Sequence, residues 1–230
     1  MADQEKKKLL DTIHHRIQAA KQVAGRTDEV RLLAVSKHFG VDDIADFYEL
    51  GQKAFGENYI QEWWGKKKAL PDKAIEWHLI GPVQKNKAKW AAEGAAWLHS
   101  LDSLSLAKKL AVWRPEEIQP LQVCIQINIS AEKQKRGLLI SQKTELEDLI
   151  AFLLQSSQLQ FRGVMCLPVA KDKEEINNQM QAMQALYLSL KKSIPELDTL
   201  SMGMSADLEE AIYYGSTLVR VGTALFGRRI

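Results

Sequence analysis

Lys37 closes the apolar run Leu32-Leu33-Ala34-Val35-Ser36, which places an amine where a parallel strand ends and a binding loop begins. A neutral lysine amine in a pocket that lowers its pKa attacks a carbonyl carbon and forms a Schiff base; a solvated surface lysine rarely does so. The run by itself leaves both readings open. Two later segments, Ser201-Met202-Gly203-Met204-Ser205 and Val219-Arg220-Val221-Gly222-Thr223, suit an anion. Gly203 and Gly222 let backbone come close, Ser205 and Thr223 offer hydroxyl donors, and a helix beginning near Ala206 would present free N–H groups. Either segment alone also reads as a turn glycine with an ordinary helix cap.

The elements that must position these groups alternate along the chain. Short runs rich in branched and aromatic residues occur at 32–36, 54–56, 77–80, 97–100, 121–129, 161–166, 199–202 and 218–221. Helical patterns lie between them at 41–50, 59–69, 86–93, 103–113, 143–155, 173–192 and 206–214, several stopped by a glycine or proline. A further helix near 6–24 precedes the first strand, with Leu9, Leu10, Ile13, Ile17, Ala20 and Val23 at helical spacing. The pattern predicts an α/β fold, a single (β/α)8 TIM barrel with an extra N-terminal helix, against the competing doubly wound sheet. Only nine residues follow the last strand, so the N-terminal helix is expected to cover the groove that an eighth helix would fill. No linker or internal repeat divides the chain, and one domain is expected over 1–230.

In such a barrel the binding groups gather at the C-terminal ends of the strands, and phosphate sites are built from the loops after strands seven and eight. The two segments above fall there. Other classes are less favoured by composition. The 31 basic and 29 acidic residues leave a net charge of +2, without the basic bias of a dedicated nucleic-acid binder. Cys124 and Cys166 sit far apart in apolar runs and read as reduced packing residues, without zinc-site spacing. No stretch reaches the roughly eighteen apolar residues of a membrane span, so a soluble cytoplasmic protein is expected. His14 and His15 read as solvated helix positions, Lys66-Lys67-Lys68 and Lys85, Lys87 and Lys89 as helical surface charge, and His78 as a hydrogen-bonded barrel residue or a base. Lys133-Gln134-Lys135-Arg136-Gly137 is a solvated loop or a cationic loop steering an anionic ligand.

Five ordered motifs resemble one family over essentially the whole chain. They are Ala34-Val35-Ser36-Lys37, Gly56-Glu57-Asn58-Tyr59, residues 78–87 (HLIGPVQKNK), residues 200–207 (LSMGMSAD) and residues 219–227 (VRVGTALFG). The chain is similar to the pyridoxal phosphate homeostasis proteins, relatives of the barrel domain of alanine racemase. That resemblance implies pyridoxal 5′-phosphate held on Lys37 as an internal aldimine, with Ser205, Gly222 and Thr223 at its phosphate, Arg220 facing the pyridine nitrogen and Asn58 beside the ring. His38-Phe39 after the lysine and Val83 in place of a common leucine depart mildly from the family pattern.

An arginine at the ring nitrogen disfavours the pyridinium proton that an acidic residue would stabilise, which mutes the cofactor as an electron sink. A racemase further needs an acid/base group on each face of the substrate α-carbon. Related racemases take the second, a tyrosine, from a β-rich domain for which this chain has no room, and Tyr59, Tyr213 and Tyr214 read as packing residues. The expectation is a monomeric carrier or regulator in intracellular pyridoxal phosphate homeostasis, with pyridoxal-phosphate-dependent apo-enzymes as recipients and no dedicated catalysis. The alternatives are a pyridoxal-phosphate-dependent amino-acid racemase or related enzyme, and a Schiff-base aldolase acting on a sugar phosphate.

Overall fold

The structure is a computed structural model that describes residues 2–132, 134–169 and 172–227. Its apolar runs form eight strands: β1 Arg31–Val35, β2 Ala54–Glu57, β3 Glu76–Leu79, β4 Trp97–Leu101, β5 Leu121–Ile127, β6 Leu159–Cys166, β7 Thr199–Ser201 and β8 Leu218–Val221. Each strand pairs in parallel with its sequence neighbours, and β8 returns to β1 with Leu32 opposite Val219 and Ala34 opposite Val221. The sheet is a closed barrel. Strand ends fall one or two residues from the sequence-predicted ones, as hydrogen-bond pairing and hydrophobic runs define ends differently.

The helices are α1 Ala2–Val23, α2 Val41–Glu49, α3 Ile60–Ala69, α4 Ala88–Gly94, α5 Leu104–Trp113, α6 Lys143–Gln155, α7 Lys173–Ser193, α8 Leu208–Tyr213 and α9 Thr223–Phe226. A single 3₁₀ turn, Lys85–Lys87, leads into α4. α1 packs across α8, α9 and α2 and so covers the seam where the barrel closes. Leu10, Ile13, Ile17 and Ala20 form its buried stripe, while Val23 is 82% exposed and lies off it, because the helix ends before another turn can dock. Arg16 pairs with Glu209 at 2.7 Å, and Lys6 reaches Asp43 and Asp46 at 2.8 and 2.7 Å, tying α1 to α8 and α2.

Two short helices depart from expectation. α8 starts at Leu208, two residues later than predicted, because Asp207 Oδ1 accepts the Met204 N–H at 2.6 Å and closes residues 204–207 as a turn. α9 was not expected at all. Its four residues are too few to produce a helical period, yet they place a helix start directly after β8.

The core has two compartments. The larger fills the layer between sheet and helices, with Phe47, Phe55, Trp63, Leu98 and Leu110 fully buried. Inside the barrel a small apolar group of Trp97, Cys124 and Met165 sits among buried polar side chains. Both cysteines are free and buried, and burial pushes each thiol up to about 12. A thiol-specific reagent at mildly alkaline pH is therefore expected to label neither cysteine in the native protein and both after denaturation; rapid labelling of native protein would contradict the packing.

Candidate functional site

A cavity of about 800 Å³ opens at the C-terminal ends of the strands. Lys37, Asn58, Ser205, Arg220, Gly222 and Thr223 all line it, so residues from four separate segments converge as the sequence reading expected. Four of the lining side chains, Lys37, Lys135, Arg136 and Arg220, are basic and none of the described ones is acidic. The cavity is built for an anion.

Lys37 is held from behind rather than from within the cavity. Ser36 points the other way and donates its hydroxyl to Glu57 Oε1 at 2.6 Å. Lys66, on α3, donates to the same oxygen at 2.7 Å, to the Ser36 carbonyl at 2.8 Å and to Glu62 at 2.7 Å. Glu62 in turn accepts the His38 N–H, and His38 adopts a left-handed φ of 68°. The residues on both sides of Lys37 are thus pinned to one buried ion-pair cluster, which supports a turn that a non-glycine residue enters at a cost. Burial raises Glu57 against the pull of Lys66 and the Ser36 hydroxyl, and its Oε2 has no partner among the described residues. Burial also opposes ionisation of Glu62, but Lys66 and the His38 N–H hold it below the usual carboxylate range.

Reading Lys66 as solvated surface charge with Lys67 and Lys68 was therefore wrong. Lys66 is 6% exposed, on the stripe that Ile60 and Trp63 define, whereas Lys68 lies over the Trp64 ring. Lys67 is half-buried and donates to the Gly94 carbonyl.

The anion end combines Ser205, Gly222 and Thr223. No hydroxyl bond of Ser205 or Thr223 is satisfied by another described residue, so both are available to a ligand. Gly222 caps α9, and the Thr223 and Ala224 amides that open that helix have no backbone partner among the described residues, whereas the Leu225 and Phe226 amides already donate to the Gly222 carbonyl. Gly203 is not in the cavity lining: its φ is 92° and a Cβ there would lie 2.5 Å from the Ala211 Cβ, so it serves the packing of α8. The expected helix N-terminus near Ala206 is likewise absent, and α9 supplies the free amides instead. Across the cavity, Asn58 Oδ1 is buried without a partner among the described residues. Gly81 beside it has no alternative, since a Cβ would fall 2.1 Å from the Asn58 carbonyl.

Arg220 forms the cavity floor and is 3% exposed. Its Nη1 donates to the Ser201 carbonyl at 2.8 Å and hydroxyl at 2.7 Å, and its Nη2 to the Cys166 carbonyl at 2.8 Å. Burial lowers its pKa, yet a guanidinium remains charged. Beneath it, His99 Nδ1 lies 2.9 Å from Ser201 Oγ, His78 Nδ1 lies 2.8 Å from His99 Nε2, and His78 Nε2 lies 2.6 Å from Glu76. His78 is thus the hydrogen-bonded barrel residue of the two readings. His99 was missed, although Trp97-Leu98-His99-Ser100 shows a histidine in phase with inward-facing Trp97.

Lys135 and Arg136 of the basic loop border the cavity, while Lys133 lies outside the described residues. The Gln126 and Asn128 side-chain amides donate to the Arg136, Glu132 and Lys135 carbonyls at 2.9–3.2 Å, so the loop backbone is tethered to the end of β5, while Lys135 pairs with Glu132 within the loop at 2.6 Å. None of Tyr59, Tyr213 and Tyr214 lines the cavity. Tyr214 packs on the core as expected, but Tyr213 and Tyr59 are 62% and 52% exposed.

The closed parallel barrel and the lysine at the end of β1 define a protein of the alanine racemase N-terminal domain class, and residues 9–229 match that family. The pyridoxal phosphate homeostasis protein of Vibrio alginolyticus is 44% identical over 226 residues, covering 96% of each chain. That of Escherichia coli K12 is 42% identical over 226 residues, covering 96% of this chain and 95% of the relative. PipY of Synechococcus elongatus PCC7942, solved with pyridoxal phosphate bound, is 32% identical with a TM-score of 0.81, covering 96% of this chain and all of PipY. The chain belongs to the pyridoxal phosphate homeostasis protein family.

Removing Lys66 would leave the buried Glu57 carboxyl without its cation, with the Ser36 hydroxyl as its remaining partner among the described residues. Lys66→Met is expected to lower the unfolding free energy by about 3 kcal/mol, with Glu57→Gln added in the double variant recovering part of it. Denaturant unfolding measures this; a Lys66→Met loss below about 0.5 kcal/mol would show that the cluster behind Lys37 contributes little.

Proposed function

We propose that the chain binds pyridoxal 5′-phosphate through Lys37 and acts in intracellular pyridoxal phosphate homeostasis as a holder of the cofactor, without dedicated catalysis. The observation that carries this reading is the convergence on one cavity of a strand-end amine, a buried guanidinium and a hydroxyl-and-amide cradle, with no acidic side chain among the described lining residues. Pyridoxal phosphate brings an aldehyde that forms a C=N bond to an amine, a pyridine nitrogen and a phosphate dianion. Each has a counterpart in the cavity.

Lys37 provides the amine, and no described residue ties it up in a hydrogen bond or ion pair. Ser205, Thr223 and the first amides of α9 donate toward the phosphate end, where Gly222 keeps the backbone accessible. Arg220 presents donors to the ring nitrogen and opposes its protonation. Asn58 contributes an oxygen that needs a donor, which fits a site with a polar ligand beside it.

A holder, unlike a racemase, has no need of a second acid/base group across from Lys37. Among the described residues the cavity lining offers no tyrosine, histidine or carboxylate for that role, which supports holding over turnover. We read residues 1–230 as a single barrel domain and the protein as a cytoplasmic monomer that passes its cofactor to pyridoxal-phosphate-dependent apo-enzymes. No described helix is long and apolar enough to cross a membrane.

Purified protein mixed with pyridoxal phosphate is expected to show a visible absorbance band that Lys37→Ala abolishes, and to turn over amino-acid substrates far below the rates of dedicated racemases. A band unchanged in Lys37→Ala would overturn the site; racemisation at about 10 s⁻¹ or more would overturn the holder reading. Ser205→Ala with Thr223→Ala should weaken cofactor affinity about tenfold or more through two lost hydrogen bonds, measured by equilibrium titration. Neutralising Lys135 and Arg136 together should slow transfer to an apo-enzyme and flatten its salt dependence, and an unchanged rate would remove the loop from the route.

A further inference from the structure

We propose that Glu76, His78, His99 and Ser201 are positioning residues for Arg220, joined in a one-way hydrogen-bond chain that runs through the barrel from its N-terminal mouth to the cavity floor. The contacts are continuous: Glu76 Oε1 to His78 Nε2 at 2.6 Å, His78 Nδ1 to His99 Nε2 at 2.8 Å, His99 Nδ1 to Ser201 Oγ at 2.9 Å, and Ser201 Oγ to Arg220 Nη1 at 2.7 Å. Glu76 starts β3, at the opposite end of the barrel from the cavity, and its side chain is 43% exposed. His78, His99 and Ser201 are wholly buried.

The direction of the chain follows from which groups can donate. Arg220 only donates, so Ser201 Oγ accepts from it and has its own proton to give to His99 Nδ1. His99 therefore carries its proton on Nε2 and donates to His78 Nδ1, which places the His78 proton on Nε2, facing the Glu76 carboxylate. Every donor meets an acceptor with both imidazoles neutral. The reverse order would set an unprotonated His78 Nε2 against an ionised carboxylate, two acceptors without a proton.

The surrounding charges agree with neutral rings. Burial lowers both histidines, His99 well below its ordinary value, and the nearby Arg31 of β1 opposes their protonation, as Arg220 of β8 does for His99. Glu76 is lowered by its bond to His78, so it stays ionised. The ring of His78 stacks on Trp97 with centroids 5.2 Å apart, and Arg31 lies over the same indole at 4.7 Å, which fixes the rotamer of the first imidazole. Aligned donors polarise one another, so the carboxylate strengthens Ser201 as an acceptor three contacts away. Both Nη1 protons and one Nη2 proton of Arg220 are thereby committed to the barrel wall, leaving Nε–H and the second Nη2 proton for a ligand.

The inference rests on the reading that the cavity takes pyridoxal phosphate with its ring nitrogen at Arg220. Glu76→Ala, remote from the cavity and partly exposed, is the informative variant, with Glu76→Gln restoring an uncharged acceptor. We expect Glu76→Ala to shift the visible band of bound pyridoxal phosphate and to weaken its binding on the order of tenfold, the low end of what losing a partner that orients a metal ligand costs. Glu76→Gln should recover most of the change, and circular dichroism should show both variants folded at the assay temperature. In the ligand-free wild type, nitrogen NMR of isotope-labelled histidine should find His78 and His99 neutral with the proton on Nε2. A cationic ring, a proton on Nδ1 of either ring, or a Glu76→Ala band and affinity equal to wild type would overturn the chain while leaving the cofactor reading intact. A wild-type protein with no pyridoxal phosphate band would instead overturn the cofactor reading, and the positioning role with it.

Discussion

A permanently charged guanidinium sits inside this barrel with no carboxylate bonded to it among the described residues. Arg220 is nearly inaccessible, and its wall contacts are two carbonyls and one hydroxyl. Burying a charge on neutral acceptors is costly unless the acceptors are fixed and well aligned, and much of the barrel interior follows from that demand. Ser201 must be held with its lone pair toward Nη1, His99 must hold Ser201, and the strands that carry them must keep register. The interior of the barrel is polar where an ordinary barrel of this type is filled with branched apolar side chains. The same isolation gives the site its character: a cation that no described carboxylate bonds is free to face a ligand acceptor.

The second constraint acts from outside the sheet. Lys37 points into the cavity while its neighbours Ser36 and His38 are tied to Glu57, Lys66 and Glu62 in the layer under α3. The amine itself has no partner among the described residues, and the backbone on both sides of it is hydrogen-bonded in place. A lysine proposed to form and release a covalent bond would benefit from that arrangement, since the movement needed is confined to the side chain. The cavity thus has a fixed floor at Arg220, a fixed root at Lys37 and a cradle of unsatisfied donors at the far end.

The barrel was legible because its signal is repeated: eight branched runs alternating with helical patterns admit few topologies, and the lysine at the end of the first run marks the face where a site forms. The elements that escaped did so for identifiable reasons. α9 is shorter than a helical period, and the start of α8 depends on an Asp207 side-chain bond that no hydropathy pattern displays. Lys66 stands in a row of three lysines, and only the phase set by Ile60 and Trp63 separates it from its neighbours. His99 and Ser201 are 102 residues apart, and nothing in either run announces that barrel closure will bring them to 2.9 Å. Gly203 looked like an anion-binding glycine because close backbone approach has the same sequence signature whether the neighbour is a ligand or the Ala211 side chain.

The proposed function turns on one amine, and the most direct measurement locates the covalent attachment. Borohydride reduction of the protein saturated with pyridoxal phosphate, followed by peptide mass mapping, should find a single pyridoxyl group on Lys37. A modification on Lys135 or another lysine, or no stable adduct, would contradict the assignment of this cavity.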